Sequence, residues 1–278
     1  MREVTIATVQ MKPVLGETES NLVKMSDLVA KICGQQKVDL IVFPELCATG
    51  AELGVRFTDL AQRVPGPTVN LMAQRASEFG VYLVFGLPTK EKVESILFNS
   101  LVLVGPDGEL LGEYRKVHLK GEERMAFRSG LKYVPIETDF GMVGMLHGYD
   151  LAFPEAARSL ALEGAELLVV GANWEQPHAD EWRTYVRARA YENSIFVAAA
   201  NRVGEDVTYS FAGDSTIVGP RGQVYASLQG EVDPKTNEPA EGYCIARVDL
   251  REVRRRREEF QTLQNREPET YRAIVKRY

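Results

Sequence analysis

The stretch LIVFP at residues 40–44 has the length and the continuous apolar composition of a strand buried inside a sheet. A strand-like run precedes it at residues 4–10, and the apolar spacing between the two predicts a helix over about residues 21–33. This strand–helix–strand order is typical of a parallel sheet that is covered by helices. The beginning of the chain therefore predicts an α/β fold.

The same alternation continues through the rest of the chain. Further strands are predicted at residues 81–85, 97–104, 143–146, 167–170 and 195–200, and further helices at about residues 68–79, 154–163 and 180–193. The segment PGPT at 65–68 predicts a loop in which Thr68 caps the helix that follows. Two turns of similar sequence, GPDG at 105–108 and GPRG at 219–222, each predict a β-hairpin. Two explanations of their similarity remain open: an internal repeat, or simply the residue preferences that turns of this type share.

Composition limits the class of protein. The chain has 278 residues, of which 45% are hydrophobic and 26% are charged, so it can bury a substantial core. Its formal charge of −6 leaves no basic surplus for nucleic acid. Four arginines at 254–257 are followed by two glutamates and predict a solvated or interface helix. No apolar run approaches the roughly 20 residues of a membrane span, and no signal-peptide pattern is present, so we expect a cytoplasmic protein without membrane contact.

The cysteines predict a reduced, structural set of thiols, because they are odd in number and widely spaced. They are Cys33, Cys47 and Cys244. The histidines lack the spacing of metal ligands, and no phosphate-binding glycine loop is present, so the sequence predicts neither a metal nor a cofactor. Because no composition break divides the chain, we expect one domain over residues 1–250. Residues 251–278 form a charged C-terminal extension that we expect to dock on a neighbouring subunit.

Polar residues follow several of the predicted strands. Glu45 follows the strand at 40–44, Lys116 follows a tyrosine and an arginine, and Tyr149 with Asp150 comes just after the strand at 143–146. In α/β folds, groups beyond the carboxyl ends of strands are well placed to line a site. Taken singly, such a glutamate is more often an exposed turn residue and such a lysine a solvated charge.

Taken in order, these segments resemble the nitrilase superfamily of carbon–nitrogen hydrolases. The matching segments are PEL (44–46), YRKVHL (114–119), Glu123, GYD (148–150), FPE (153–155), GAE (164–166), ANW (172–174), RARAYEN (187–193), ANRVG (200–204), GDS (213–215) and PETY (268–271). The resemblance covers nearly the whole chain. It implies a four-layer αββα sandwich, a homodimer or larger homo-oligomer, no cofactor, and a small amide or N-carbamoyl compound as the substrate. Nitriles are the less favoured substrate, because most branches of the superfamily cleave amides.

The resemblance also implies roles for individual residues. It assigns Glu45 as general base and then acid, and Lys116 with the backbone N–H of Tyr149 as the groups that stabilise an oxyanion. Glu123 matches an acidic position that positions substrate. Asn173 and Trp174 are expected to bind or support the substrate, and its far end is expected to meet the loops at 51–59 and 173–180.

One position departs from the pattern, because Gly148 stands where the family carries its nucleophilic cysteine. A thiolate attacks the carbonyl carbon and leaves again easily, whereas glycine offers no nucleophile. The sequence therefore predicts no thioester activity. The adjacent His147 replaces an apolar residue, and strand alternation predicts that it packs away from the site. Cys47 is expected to be a buried structural thiol and not a substitute nucleophile.

Three interpretations of this departure remain open from the sequence. The chain is a hydrolase that has lost its nucleophile, a natural pseudoenzyme that binds a carbonyl ligand or a protein partner, or an enzyme with cysteine-independent chemistry in the same pocket. Two adjacent departures, at His147 and Gly148, favour natural divergence over a laboratory replacement of one residue.

Overall fold

The computed structural model describes residues 3–92 and 96–276. The strands are β1 (Glu3–Gln10), β2 (Leu40–Val42), β3 (Tyr82–Lys90), β4 (Leu97–Val104), β5 (Leu110–Arg115), β6 (Ile136–Thr138), β7 (Gly141–His147), β8 (Leu167–Ala172), β9 (Phe196–Asn201), β10 (Val203–Glu205), β11 (Ser210–Ala212), β12 (Thr216–Val218), β13 (Val224–Ser227) and β14 (Gly242–Asp249). The helices are α1 (Thr18–Gln35), α2 (Phe57–Leu60), α3 (Pro67–Phe79), α4 (Glu123–Ala126), α5 (Pro154–Leu162), α6 (Ala179–Asn193) and α7 (Arg251–Glu259). Short 3₁₀ helices span Gly54–Arg56, Gly148–Ala152, Gln176–His178 and Pro268–Val275.

Twelve of these strands form two six-stranded mixed sheets with the same plan, and β10 pairs with β11 in a separate hairpin. The first has the order β14-β1-β2-β3-β4-β5 and the second the order β13-β12-β9-β8-β7-β6. In each sheet three neighbouring strands run parallel, β1 to β3 in one and β7 to β9 in the other, with antiparallel strands on both sides. The two predicted hairpins, β4–β5 and β12–β13, occupy equivalent places in this plan.

The two sheets pack face to face, and helices cover their outer faces. Along β2, Leu40 and Val42 pack with residues of the second sheet, whereas Ile41 and the following Phe43 pack with α1 and α3. This alternation follows from the two-residue period of a strand. On the far side, α5 and α6 pack on the second sheet. The predicted four-layer αββα sandwich is thereby confirmed.

One local prediction is wrong. Helix α3 begins at Pro67, with Gly66 in the capping position and no side-chain cap, so Thr68 lies inside the helix. Proline suits the first helical position because it has no N–H to leave unsatisfied. The arginine run lies in helix α7, as predicted, with Arg256 buried and its guanidinium 4.2 Å from the centre of the Phe260 ring. The docking of residues 251–278 on a neighbouring subunit stays a prediction.

The carboxyl ends of several strands converge on one side of the sandwich. Glu45 follows β2, Lys116 follows β5, Gly148 follows β7 and Asn173 follows β8. The ends of parallel strands are the usual place for a site in α/β sheets. Within residues 3–92 and 96–276, no helix has both the length and the apolar composition needed to cross a bilayer.

Candidate active site

A cavity of about 520 Å³ lies where these strand ends converge. Its lining includes every site residue that the sequence singled out, namely Glu45, Lys116, Glu123, Gly148, Tyr149, Asn173 and Trp174. The loops expected to meet the far end of a substrate line it as well, through Ala51 to Phe57 on one side and Asn173 to His178 on the other.

Glu45, Lys116 and Glu123 form one connected ionic cluster in this cavity. The Nζ of Lys116 donates to Oε1 of Glu45 at 2.7 Å and to the two carboxylate oxygens of Glu123 at 2.8 and 2.9 Å. The backbone N–H of Asn173 donates to Oε2 of Glu45 at 3.2 Å. The base and the cation that the resemblance implies are thus in direct contact.

Two members of the cluster are almost closed to water, since Glu45 is 2% exposed and Lys116 is 4% exposed, whereas Glu123 is 23% exposed. Burial acts to lower the pKa of Lys116, but the carboxylates of Glu123 and Glu45 outweigh it and raise the pKa above its ordinary range. Lys116 therefore carries a permanent positive charge. A fixed ammonium that is itself shielded from water is well suited to stabilise negative charge that develops on a carbonyl oxygen.

Gly148 lies at the wall of the cavity, directly after β7. A Cβ atom on this residue would lie 2.8 Å from Cβ of Ala172 and 3.3 Å from Cα of the same residue. Nonbonded carbon atoms are in favourable contact at about 3.5–4.0 Å, so a side chain here requires Ala172 to move. The surroundings of residue 148 therefore fit a glycine.

His147 is fully buried and does not line the cavity, as strand alternation predicted. Its ring packs near the ring of Tyr114, with 5.9 Å between centroids, and its Nδ1 lies 3.7 Å from Oε1 of Glu45. Burial lowers the pKa of His147 to about 3, and the positive charge of Lys116 acts in the same direction. The imidazole is therefore neutral at physiological pH and lies directly behind the candidate base.

The depressed pKa of His147 makes a prediction about stability. In the unfolded chain this histidine takes up a proton near pH 6.5, whereas in the folded chain it stays neutral down to about pH 3. Stability is thus lost as the pH falls from 6.5 towards 3. Between pH 6.5 and pH 5, we expect the wild-type chain to lose about 1.6 kcal/mol more unfolding free energy than His147→Leu. Urea unfolding at both pH values measures this, and parallel losses in the two proteins would contradict it.

Asp150 joins the two segments that carry Lys116 and Gly148. Its Oδ2 accepts hydrogen bonds from the Tyr114 hydroxyl at 2.6 Å and from the backbone N–H of His147 at 3.2 Å. Its Oδ1 accepts from the backbone N–H of His118 at 3.0 Å. Although burial favours the neutral acid, the hydrogen bonds from His118 and Tyr114 lower the pKa of Asp150. The carboxylate therefore acts as a fixed clamp between the ends of β5 and β7.

Sequence reasoning missed Asn99, whose Nδ2 donates to Glu45 at 2.6 Å and to Glu123 at 3.2 Å. The available signal was an Asn-Ser pair inside the otherwise apolar strand β4. It also missed the role of Asn201, whose Oδ1 accepts a hydrogen bond from the backbone N–H of Trp174 at 2.7 Å and so holds that residue in place.

Cys47 is a buried structural thiol, as predicted. It donates to the carbonyl of Gly86 at 3.4 Å and does not line the cavity. Burial raises its pKa to about 12, which leaves almost no thiolate at neutral pH. Within the parts of the chain that the structure describes, no group of three or more His, Cys, Asp and Glu residues could hold a metal ion.

The fold and this ionic cluster define a carbon–nitrogen hydrolase, and the chain belongs to that family: the family model for carbon-nitrogen hydrolases matches residues 5–258. The chain is 40% identical over 277 residues to a probable nitrilase of Schizosaccharomyces pombe, with 98% of this chain and 99% of the relative covered. It is 31% identical over 250 residues to the 2-oxoglutaramate amidase of Bacillus subtilis, with 89% and 92% covered.

A solved structure with the same fold is the amidase from Nesterenkonia sp. AN1, in a double mutant in which a glutamate is replaced by glutamine and a cysteine by alanine, in complex with acrylamide. It superposes with a TM-score of 0.85 at 25% identity, covering 99% of this chain and 98% of that chain. The family and the names of its members support a hydrolase of carbon–nitrogen bonds, and amide-type small molecules fit as substrates.

Proposed function

We propose that this chain binds small amide or carbamoyl compounds in the cavity and does not hydrolyse them through a thioester. The observation that carries the proposal is the buried contact between Glu45, Lys116 and Glu123 at the cavity wall. A buried ion cluster gives little net stability because each charge loses its hydration. Its benefit is the stabilisation of a bound carbonyl group, which neutral side chains of the same size do not provide.

The carbonyl oxygen of the ligand lies between two donors in this proposal. Nζ of Lys116 is one, because the ligand oxygen takes the place of one of the two Glu123 oxygens to which this ammonium donates. The backbone N–H of Tyr149 is the other, in the first turn of the 3₁₀ helix that begins at Gly148. The first N–H groups of a helix lack a partner within the helix, which makes them available to a ligand. Glu45 accepts a hydrogen bond from the amide nitrogen. The acrylamide complex of the Nesterenkonia double mutant supports amide binding without a cysteine.

Glycine at position 148 has no side-chain atom with a lone pair, so residue 148 cannot form the first covalent bond to the carbonyl carbon. In a cysteine enzyme, the sulfur bonds to the carbonyl carbon, ammonia leaves with a proton from the glutamate, and water then hydrolyses the thioester. Cys47 does not replace that thiol, because it is buried away from the cavity and its pKa is about 12.

Propionamide tests the proposal on the wild-type chain. We expect it to raise the unfolding free energy by about 1.4 kcal/mol at a concentration ten times its dissociation constant, while no ammonia and no acyl-protein adduct form. Denaturant titration, an ammonia assay and intact-mass spectrometry measure the three quantities. Glu109→Gln, in the β4–β5 turn outside the cavity lining, is the matched control and should behave as the wild type. Failure of propionamide to stabilise the protein at any concentration would refute the proposal.

Cysteine-independent hydrolysis is the second candidate. It is favoured because Gly148, which lines the same cavity as Glu45, has no side chain and so leaves space for a water molecule. In this reaction Glu45 takes a proton from water, the water oxygen bonds to the carbonyl carbon, and the proton passes to the departing ammonia. Ammonia release by the wild-type chain that persists in Cys47→Ala and disappears in Glu45→Gln would establish this candidate in place of the first.

A further inference from the structure

We propose that the cavity selects an amide whose far end carries an alkylammonium group, in preference to one that ends in a carboxylate. This inference rests on the proposed function, in which the amide end lies between Lys116 and Tyr149. It concerns the opposite end of the same ligand and the part of the cavity that receives it.

The cavity lining is strongly acidic. It carries six carboxylates, contributed by Glu45, Glu52, Glu122, Glu123, Glu175 and Glu181. Its two ammonium groups belong to Lys116 and Lys120, and no arginine lines it among the residues that the structure describes.

Both lysines are already ion-paired with glutamates of the same lining. Lys116 contacts Glu45 and Glu123, and Nζ of Lys120 lies 3.0 Å from Oε1 of Glu175. A ligand carboxylate would therefore have to compete with a protein carboxylate for either cation. It would also approach an excess of negative charge, which costs free energy in a partly closed cavity.

Glu52 offers a fixed negative charge to a cationic ligand. Its Oε2 accepts hydrogen bonds from the backbone N–H groups of Thr208 at 2.7 Å and Tyr209 at 3.0 Å. Its own backbone N–H donates to Asp206, whose carboxylate is held by both terminal nitrogens of Arg202 at 2.7 and 2.8 Å. Within residues 3–92 and 96–276, no cationic side chain lies within ion-pair distance of Glu52. The carboxylate is thus oriented in advance and keeps an unneutralised charge.

Aromatic side chains also line the cavity. Tyr209, whose backbone binds Glu52, lines it together with Trp174 and Tyr185. The rings of Trp174 and Tyr185 meet edge to face with 5.8 Å between centroids, and the guanidinium of Arg189 already lies 5.5 Å from the centre of the Tyr185 ring. Aromatic faces attract ammonium groups and have no such attraction for carboxylates. Carboxylate and aromatic groups together favour a cation.

The expected selectivity differs from the one that a relative's name implies. The 2-oxoglutaramate amidase of Bacillus subtilis is named for an amide that carries a carboxylate at its other end. At 31% identity, the lining of the far end is free to differ between the two chains. The acidic lining of this cavity argues against an anionic ligand of that type.

Three amides built on the same five-carbon chain test the inference by calorimetric titration of the wild-type chain at pH 7. They are 5-aminopentanamide (cationic), pentanamide (neutral) and the monoamide of glutaric acid (anionic). We expect the cationic amide to bind about tenfold more tightly than the neutral one, and the anionic amide to bind most weakly. Added salt should reduce the difference between the cationic and neutral amides, because mobile ions screen the carboxylates.

Glu52→Gln keeps an oxygen for the two backbone N–H groups and removes only the charge. We expect it to lower the affinity for the cationic amide several-fold more than the affinity for pentanamide, whereas Glu109→Gln changes neither. Equal affinity for the three amides, or tightest binding of the anionic one, overturns this inference and leaves the proposed function standing. If none of the three binds, the proposed function fails and this inference fails with it.

Discussion

Replacing Lys116 by methionine is expected to abolish amide binding and to lower the unfolding free energy by about 3–5 kcal/mol. The methionine side chain fills a similar volume but leaves Glu45 and Glu123 as neighbouring carboxylates without their cation. An unpaired buried charge is far more destabilising than the loss of the ion pair as a whole. Urea unfolding measures the stability, and titration with propionamide measures the binding.

A compensated variant separates the two effects. Lys116→Met combined with Glu45→Gln and Glu123→Gln removes every charge of the cluster, so most of the lost stability should return while binding does not. Lys24→Met is the matched single control, because Lys24 also pairs with a glutamate, Glu241 at 2.9 Å, and neither residue lines the cavity. Amide binding by the folded triple variant at wild-type affinity would show that the cluster is not the binding site.

Introducing a thiol is the second change with a large expected effect. Gly148→Cys together with Ala172→Gly should release ammonia from propionamide at a rate at least about 10³-fold above the wild-type chain, since loss of a nucleophile alone costs up to about 10⁶ in a hydrolase. The second substitution is needed because a Cβ on residue 148 would lie 2.8 Å from Cβ of Ala172. The single variant Gly148→Cys is expected to lose about 1–3 kcal/mol of stability through overpacking and to turn over more slowly than the double variant.

The ammonia assay and the acyl-protein mass distinguish the outcomes of this experiment. Adding Glu45→Gln to the active double variant should stop turnover, because no base or acid then remains for the proton transfers. A double variant that folds and binds propionamide but releases no ammonia would contradict the interpretation that the chain is a hydrolase that has lost only its nucleophile. It would favour a pocket that evolved for binding alone.

The sequence alone predicted the site residues that lie just after the end of a strand. Glu45 and Gly148 each follow an apolar run, and Lys116 was found through the family resemblance of the segment at 114–119. The two-residue period likewise placed His147 behind the cavity wall. The same local rules predicted helices α1, α3, α5 and α6 and strands β1 to β4 and β7 to β9 to within a few residues.

The remaining parts of the site depend on contacts between distant segments. Asn99 acts through a hydrogen bond to Glu45 from another strand, and the fit of Gly148 depends on Ala172 at the end of β8. Glu52 is held by the loop that carries Thr208, more than 150 residues later. No periodicity or local motif encodes such pairs, because they exist only after the sheets have packed.

The pairing of β1 with β14 has a consequence for how the chain folds. Glu3 lies opposite Asp249 at one end of this antiparallel pair and Gln10 lies opposite Gly242 at the other. During synthesis, the parallel strands β1, β2 and β3 emerge early, but the outer edge of β1 stays open until β14 has left the ribosome, more than 150 residues after β3. An open edge offers unpaired N–H and C=O groups to other chains. The nascent protein therefore passes through a long interval in which the open edge of β1 can pair with other chains. We expect any need for a chaperone to fall in this interval.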